Sequence, residues 1–87
     1  MTKIFAVSDG TGTTADTVAR AALAQFDAKI EVEIRPNVRS VDKIQEVVQE
    51  AAHANSLIVH TLVSEDLRRE MFNAGRSHNV ATIDLLG

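Results

Sequence analysis

The chain of 87 residues has no cysteine, no tryptophan and no tyrosine, and it has a single proline, Pro36. Without cysteine, neither a disulfide framework nor a thiolate zinc site can form. Three phenylalanines are the only aromatics, too few for a platform that stacks bases. The net charge of −3 lacks the basic footprint of a nucleic-acid binder. The histidines stand at 53, 60 and 78, with neither HxH nor HExxH spacing, so no resident metal site is expected. Long apolar runs are missing too. Ile4 to Val7 is too short for a signal-peptide core or a membrane span, so the chain reads as cytoplasmic with no membrane partner. Low-complexity tracts, internal repeats and linkers are absent. Residues 1–87 therefore read as one small domain, of ordinary globular composition with 45% hydrophobic and 24% charged residues.

Four strand patterns alternate with three helix patterns. Ile4 to Val7 is continuously apolar, as in a strand buried on both faces. A first helix shows Ala15, Val18, Ala19, Ala22, Leu23 and Phe26 at helical spacing. The second strand, Ile30 to Arg35, alternates Ile30, Val32 and Ile34 with Glu31, Glu33 and Arg35, which marks an edge strand with one polar face. After a turn through Pro36 and Asn37, Ser40 caps a second helix with the stripe Val41, Ile44, Val47, Val48 and Ala51, ending near Asn55. Leu57 to Val59 is again continuous and central. Ser64 caps a third helix, with Glu65 and Asp66 suiting its dipole and Leu67, Met71 and Ala74 facing inward. Val80 to Leu85 forms the last strand.

The series βαβαβαβ predicts an α/β, three-layer, Rossmann-like (flavodoxin-like) unit with right-handed crossovers and a parallel four-stranded sheet in the order 2-1-3-4. The chain stops at Leu85-Leu86-Gly87, after a strand and with no fourth helix. That ending points to a unit truncated from a longer protein, with part of the first helix's face left bare. Self-association through that face, as a two-fold homodimer, is the expected by-product.

The most informative segment is Ser8-Asp9-Gly10-Thr11-Gly12-Thr13-Thr14-Ala15, between the first strand and the first helix. Glycines let the backbone approach a ligand, and unpaired N–H groups at a helix start favour an anion. The pattern G-x-G-x-x-A is a small-residue variant of the dinucleotide fingerprint. In the order 2-1-3-4 the switch point falls between strands 1 and 3, where ligands bind. The turn and His60 both lie at that crevice.

The candidate phosphate-binding residues are thus Ser8, Asp9, Gly10, Thr11, Gly12, Thr13 and Thr14, with His60 and Arg39 beside them. Asp9 has two readings, a ligand on the Mg²⁺ side or a turn aspartate accepting backbone N–H groups. One of the threonines is expected to cap the first helix. His60 could hold phosphate, move a proton or bond a neighbouring loop. Arg35 and Arg39 flank the second turn, within reach of an anion. The D-x-D-G-T reading of a phosphatase fails, because Val7 stands where the nucleophile would be. Arg35, in place of an acidic residue, weakens an NAD site. No GxxxxGK[ST] run occurs, which leaves out a Walker-type site within these residues.

The opening I-F-A-V-S-D-G-T-G-T-T-A-D-T-V, the R-P-N-V-R-S segment, V-H-T-L-V and the closing I-D-L-L-G carry a resemblance. Together they resemble the N-terminal part of the bacterial regulatory proteins of phosphoenolpyruvate synthase and pyruvate, phosphate dikinase. The resemblance implies a bifunctional serine/threonine kinase and phosphorylase. Such an enzyme phosphorylates a target threonine using ADP and removes that phosphate with inorganic phosphate, releasing pyrophosphate. It also implies that the catalytic P-loop domain lies elsewhere in the longer protein, so no residue here is assigned catalysis. ADP and inorganic phosphate, with Mg²⁺ a possible companion, would be substrates of the parent, and no cofactor is expected in these residues. The implied partners are the synthase or dikinase and the protein's own C-terminal domain. The residues also allow a stand-alone phosphate- or nucleotide-binding module without catalysis, or a purely structural domain.

Overall fold

The computed structural model describes residues 2–25 and 30–86. Phe26, placed on the inner stripe of the first helix by its spacing, lies outside the described residues. The elements are β1 (Thr2–Ser8), α1 (Thr13–Leu23), β2 (Ile30–Arg35), α2 (Val41–His53), β3 (Leu57–Thr61), α3 (Glu65–His78) and β4 (Thr82–Asp84). All strand pairs are parallel, and the sheet order is β2-β1-β3-β4, as the strand patterns predict. Val7 stands beside Arg35 on one side and His60 on the other, so the carboxyl ends of the three strands lie level.

Local chemistry sets most of the boundaries. Ser40 Oγ accepts from Lys43 N at the start of α2, and Ser64 Oγ accepts from Leu67 N at the start of α3. Asn79, at φ 60°, closes α3 in the left-handed region, and Val80 N donates to Gly75 O at 2.8 Å. Asn37 and Asn55 also have positive φ; their short polar side chains tolerate that conformation better than most.

The core has two halves separated by the sheet. Phe5, Val7, Ile58 and Leu62 meet Ile44, Val48, Met71 and Ala74 under α2 and α3. Ile4, Ala6 and Val59 meet Ala15 and Ala19 of α1 on the other face. Burying a side chain such as Phe5 or Ile58 completely contributes about 2 kcal/mol. β2 turns Ile30 and Val32 toward α1 and Glu33 and Arg35 toward the opposite face. There Lys3 Nζ pairs with Glu33 Oε1 at 2.9 Å, and Arg35 pairs with Glu33 and Glu50. The Arg35 guanidinium also lies 4.7 Å from the Phe5 ring centre.

Some expectations need correction. β4 keeps only Thr82–Asp84 of the predicted Val80 to Leu85, because Val80 is used to close α3 and Leu85 N bonds His60 O from beyond the strand. Val41, placed on the inner stripe of α2 by its spacing, is exposed in the first turn of that helix. Val18 is 41% exposed because α1 packs on β2, β1 and β3 and its flank toward β4 has no neighbour among the described residues. The bare part of the α1 face is therefore present as a groove of about 280 Å³, walled by Val18, Ala19, Leu23, Leu57, Ile83 and Leu85.

Candidate functional site

The turn after β1 is held by its neighbours more than by itself. Ser8 is buried at the end of β1, and its Oγ accepts from Gly10 N at 2.9 Å. Its carbonyl accepts from Val38 N at 2.9 Å, and the Gly10 carbonyl accepts from Asn37 N at 2.8 Å. These bonds tie the turn to the β2–α2 loop. Asp9 joins all three loops at this end of the sheet. Its carbonyl accepts from Arg39 Nε at 2.7 Å, and its Oδ2 accepts from Val63 N, on the β3–α3 loop, at 2.9 Å. Asp9 does accept a backbone N–H, but one that is 54 residues away rather than within its own turn.

Gly12 is a structural necessity. Its φ is +86°, and a Cβ added there would collide with Ile34 Cγ2. Only glycine combines that conformation with so close an approach to β2. Gly10 has no such constraint, since a Cβ would meet only Ser8 Oγ, at 3.8 Å.

Gly12 also occupies the N-cap of α1, with no side chain capping the helix. That corrects the expected threonine cap. Thr11 Oγ1 lies 3.0 Å from Thr13 Oγ1 and accepts only a long 3.4 Å bond from Thr13 N. A left-handed residue at the cap places no side-chain oxygen over the following N–H groups. The first turn of α1 thus keeps its partial positive charge facing solvent, with the exposed hydroxyls of Thr11, Thr13 and Thr14 around it.

Arg39 is drawn to the turn, bonding Asp9 O and donating from Nη2 to Asn37 Oδ1 at 3.2 Å. Arg35 is not. It is committed to Glu33 and Glu50, whose carboxylates hold its guanidinium more firmly protonated than usual. In return Arg35 lowers the Glu50 carboxyl, and Lys3 and Arg35 lower that of Glu33. A pocket of about 360 Å³ lies beside Arg35 and Lys43, but both cations already face carboxylates, Lys43 pairing with Glu46 at 3.5 Å. That makes it a poor seat for an anion.

His60 sits at the same level of the sheet as Val7 and Asp84, and only 4% of it is exposed. Strand alternation turns its imidazole to the face of Ile58, under α2 and α3, whereas the start of α1 opens on the other face. Its Nδ1 is buried without a hydrogen-bond partner among the described residues. Burial lowers its pKa below the usual 6.5; Asp84 opposes that shift and Arg68 adds to it. His60 is therefore a buried histidine beside the crevice, its charged form disfavoured by burial.

Sequence reading missed the Asp9–Val63 tie and the buried Val38, both of which arise from loops meeting across the sheet. The pairing of Lys3 with Glu33 could have been found, because both fall on the polar face of the first two strands. For Mg²⁺, the turn offers one carboxylate, and one of its oxygens is already taken by Val63 N. Among the described residues no group of three or more His, Asp or Glu converges as a metal site. The turn does not fit a resident ion. No helix among the described residues is long and apolar enough to cross a membrane.

Comparison with known proteins gives a consistent set of relatives. Residues 4–87 match the family described as kinase/pyrophosphorylase. A protein of Chloroflexus aurantiacus is 46% identical over 85 residues, which cover 97% of this chain and 30% of that protein. One from Listeria welshimeri is 41% identical and one from Shouchella clausii 39% identical, each covering 97% of this chain and 31% of the relative. All three carry names describing regulatory proteins of pyruvate, phosphate dikinase. The chain spans about 30% of the length of these relatives.

Proposed function

Because the chain belongs to the kinase/pyrophosphorylase family, we propose that it is the Rossmann-like part of a regulator of pyruvate, phosphate dikinase or phosphoenolpyruvate synthase. In this reading the whole protein phosphorylates a target threonine using ADP and removes the phosphate by phosphorolysis, releasing pyrophosphate. These 87 residues contain no GxxxxGK[ST] run, so the phosphoryl transfer belongs to other polypeptide of the longer protein. The part in hand contributes the Ser8–Thr14 turn, with Arg39 beside it, as a seat for a phosphate group.

The observation that supports this best is the position of the uncapped N-terminus of α1. It opens at the switch point of the sheet, inside a region that the family matches almost end to end. Backbone N–H groups and the helix dipole there favour negative charge, and Arg39 supplies a full positive charge within the same loop cluster.

Two measurements test the reading. With ADP and a dikinase or synthase, this chain alone should leave the target threonine unmodified; phosphotransfer by it would place the chemistry here instead. Phosphate titration should shift the backbone amides from Gly10 to Thr14, and Arg39→Ala should weaken that response. If millimolar phosphate leaves those amides unmoved, the turn is a structural hub and not an anion seat.

A further inference from the structure

The groove beside α1 is lined by apolar side chains throughout, and the site does not use it. One wall is Ile4, Leu57 and Ile83 of the sheet with Leu85 just past β4; the other is helix, from Val18, Ala19, Ala22 and Leu23. Ile83 is 49% exposed and Val18 41% exposed. Parallel sheets bury both faces, ordinarily under helices, and here α2 and α3 cover one face while α1, packed on β2, β1 and β3, leaves the β4 side of the other open. The trough lies alongside α1, and the small side chains Ala19 and Ala22 would let a second helix approach closely.

We propose that this groove seats a helix of the longer polypeptide that the relatives possess, packed beside α1 over β3 and β4. The greater part of each relative lies outside the matched region, so the polypeptide to supply it exists in the family. Handedness narrows which helix it is. The steps β2 to β3 and β3 to β4 run in one direction across the sheet, and their right-handed crossovers place α2 and α3 on the same face. A further strand added beyond β4 would put its crossover helix on that face as well. The groove is therefore filled by a helix that comes after such a strand and returns across the other face, not by the next crossover itself. This inference rests on family membership alone and stands whether or not the turn binds phosphate.

The test uses thiol labelling, since this chain has no native cysteine. Ile83→Cys in the 87-residue chain, and the corresponding substitution in an otherwise cysteine-free version of the full-length Chloroflexus relative, are labelled with a maleimide. Val18→Cys serves as a second, independent position. Labelling should be fast in the short chain and slower by about tenfold or more in the full-length protein, as expected for a site that must open before it reacts. Dilution of the full-length protein should leave the protection unchanged. Equal rates in the two proteins would overturn the proposal. So would protection that disappears on dilution, which would assign the groove to a second copy.

Discussion

Two glycines two residues apart in one turn look alike in the sequence and do different work in the structure. Gly12 holds φ +86° against Ile34, whereas Gly10 meets only Ser8 Oγ at 3.8 Å. Gly12→Ala should therefore destabilise the protein by about 2 kcal/mol or more, from backbone strain and the collision together. Gly10→Ala should stay within about 0.5 kcal/mol of the parent. Urea denaturation distinguishes them, and equal losses would mean that the Ile34 contact relaxes freely. Asp9 calls for a different readout. Asp9→Ala removes the acceptor of Val63 N, a loss of about 1 kcal/mol for a partly exposed bond. Its clearer mark should be faster amide exchange at Val63, with the Ser40 and Ser64 caps undisturbed. Unchanged exchange at Val63 would show that the three loops hold together without Asp9. Glycine-rich composition was enough to locate the turn. It could not say which glycine is obligatory, because that depends on a β2 side chain more than twenty residues away.

The helices show how far local signals reach. Ser40 and Ser64 were legible as caps because a serine before an apolar stripe is a local pattern, and both accept the expected N–H bond. Replacing either with alanine should cost about 1 kcal/mol. Thr11→Ala and Thr13→Ala should cost less than that, since α1 has no side-chain cap to lose. Thermal melts of the four variants rank them directly, and a threonine variant as damaging as the serine ones would contradict the uncapped start. Period-two alternation likewise exposed β2 as an edge strand, because an edge strand keeps a polar face that a central one cannot afford. Val18 and Val41 could not be read this way. Both fit a helical stripe, yet both are more than 40% exposed, because exposure depends on what lies across from the stripe and not on the stripe's own spacing.

Stability of the whole molecule should carry the imprint of one buried ring. Domains of this size are held by a small net free energy, so a group that titrates differently when folded is felt globally. Burial keeps His60 below its usual 6.5, against the pull of Asp84 and with the help of Arg68. The unfolded chain therefore takes up a proton near pH 6.5 that the folded protein resists. Below that value the unfolded state binds more protons, and unfolding becomes easier as the pH falls. Above it the ring is neutral in both states and contributes no slope. The carboxyls of Glu33 and Glu50 are lowered by their cationic partners. Their contribution is present above the usual carboxylate value of 4.5 and is lost only as the pH falls below it, outside the histidine window. The urea midpoint should accordingly drop between about pH 7.5 and about pH 5.5. His60→Leu should flatten that drop while lowering or raising the whole curve according to how well leucine fits. If the variant keeps the full slope, the buried histidine is not its source.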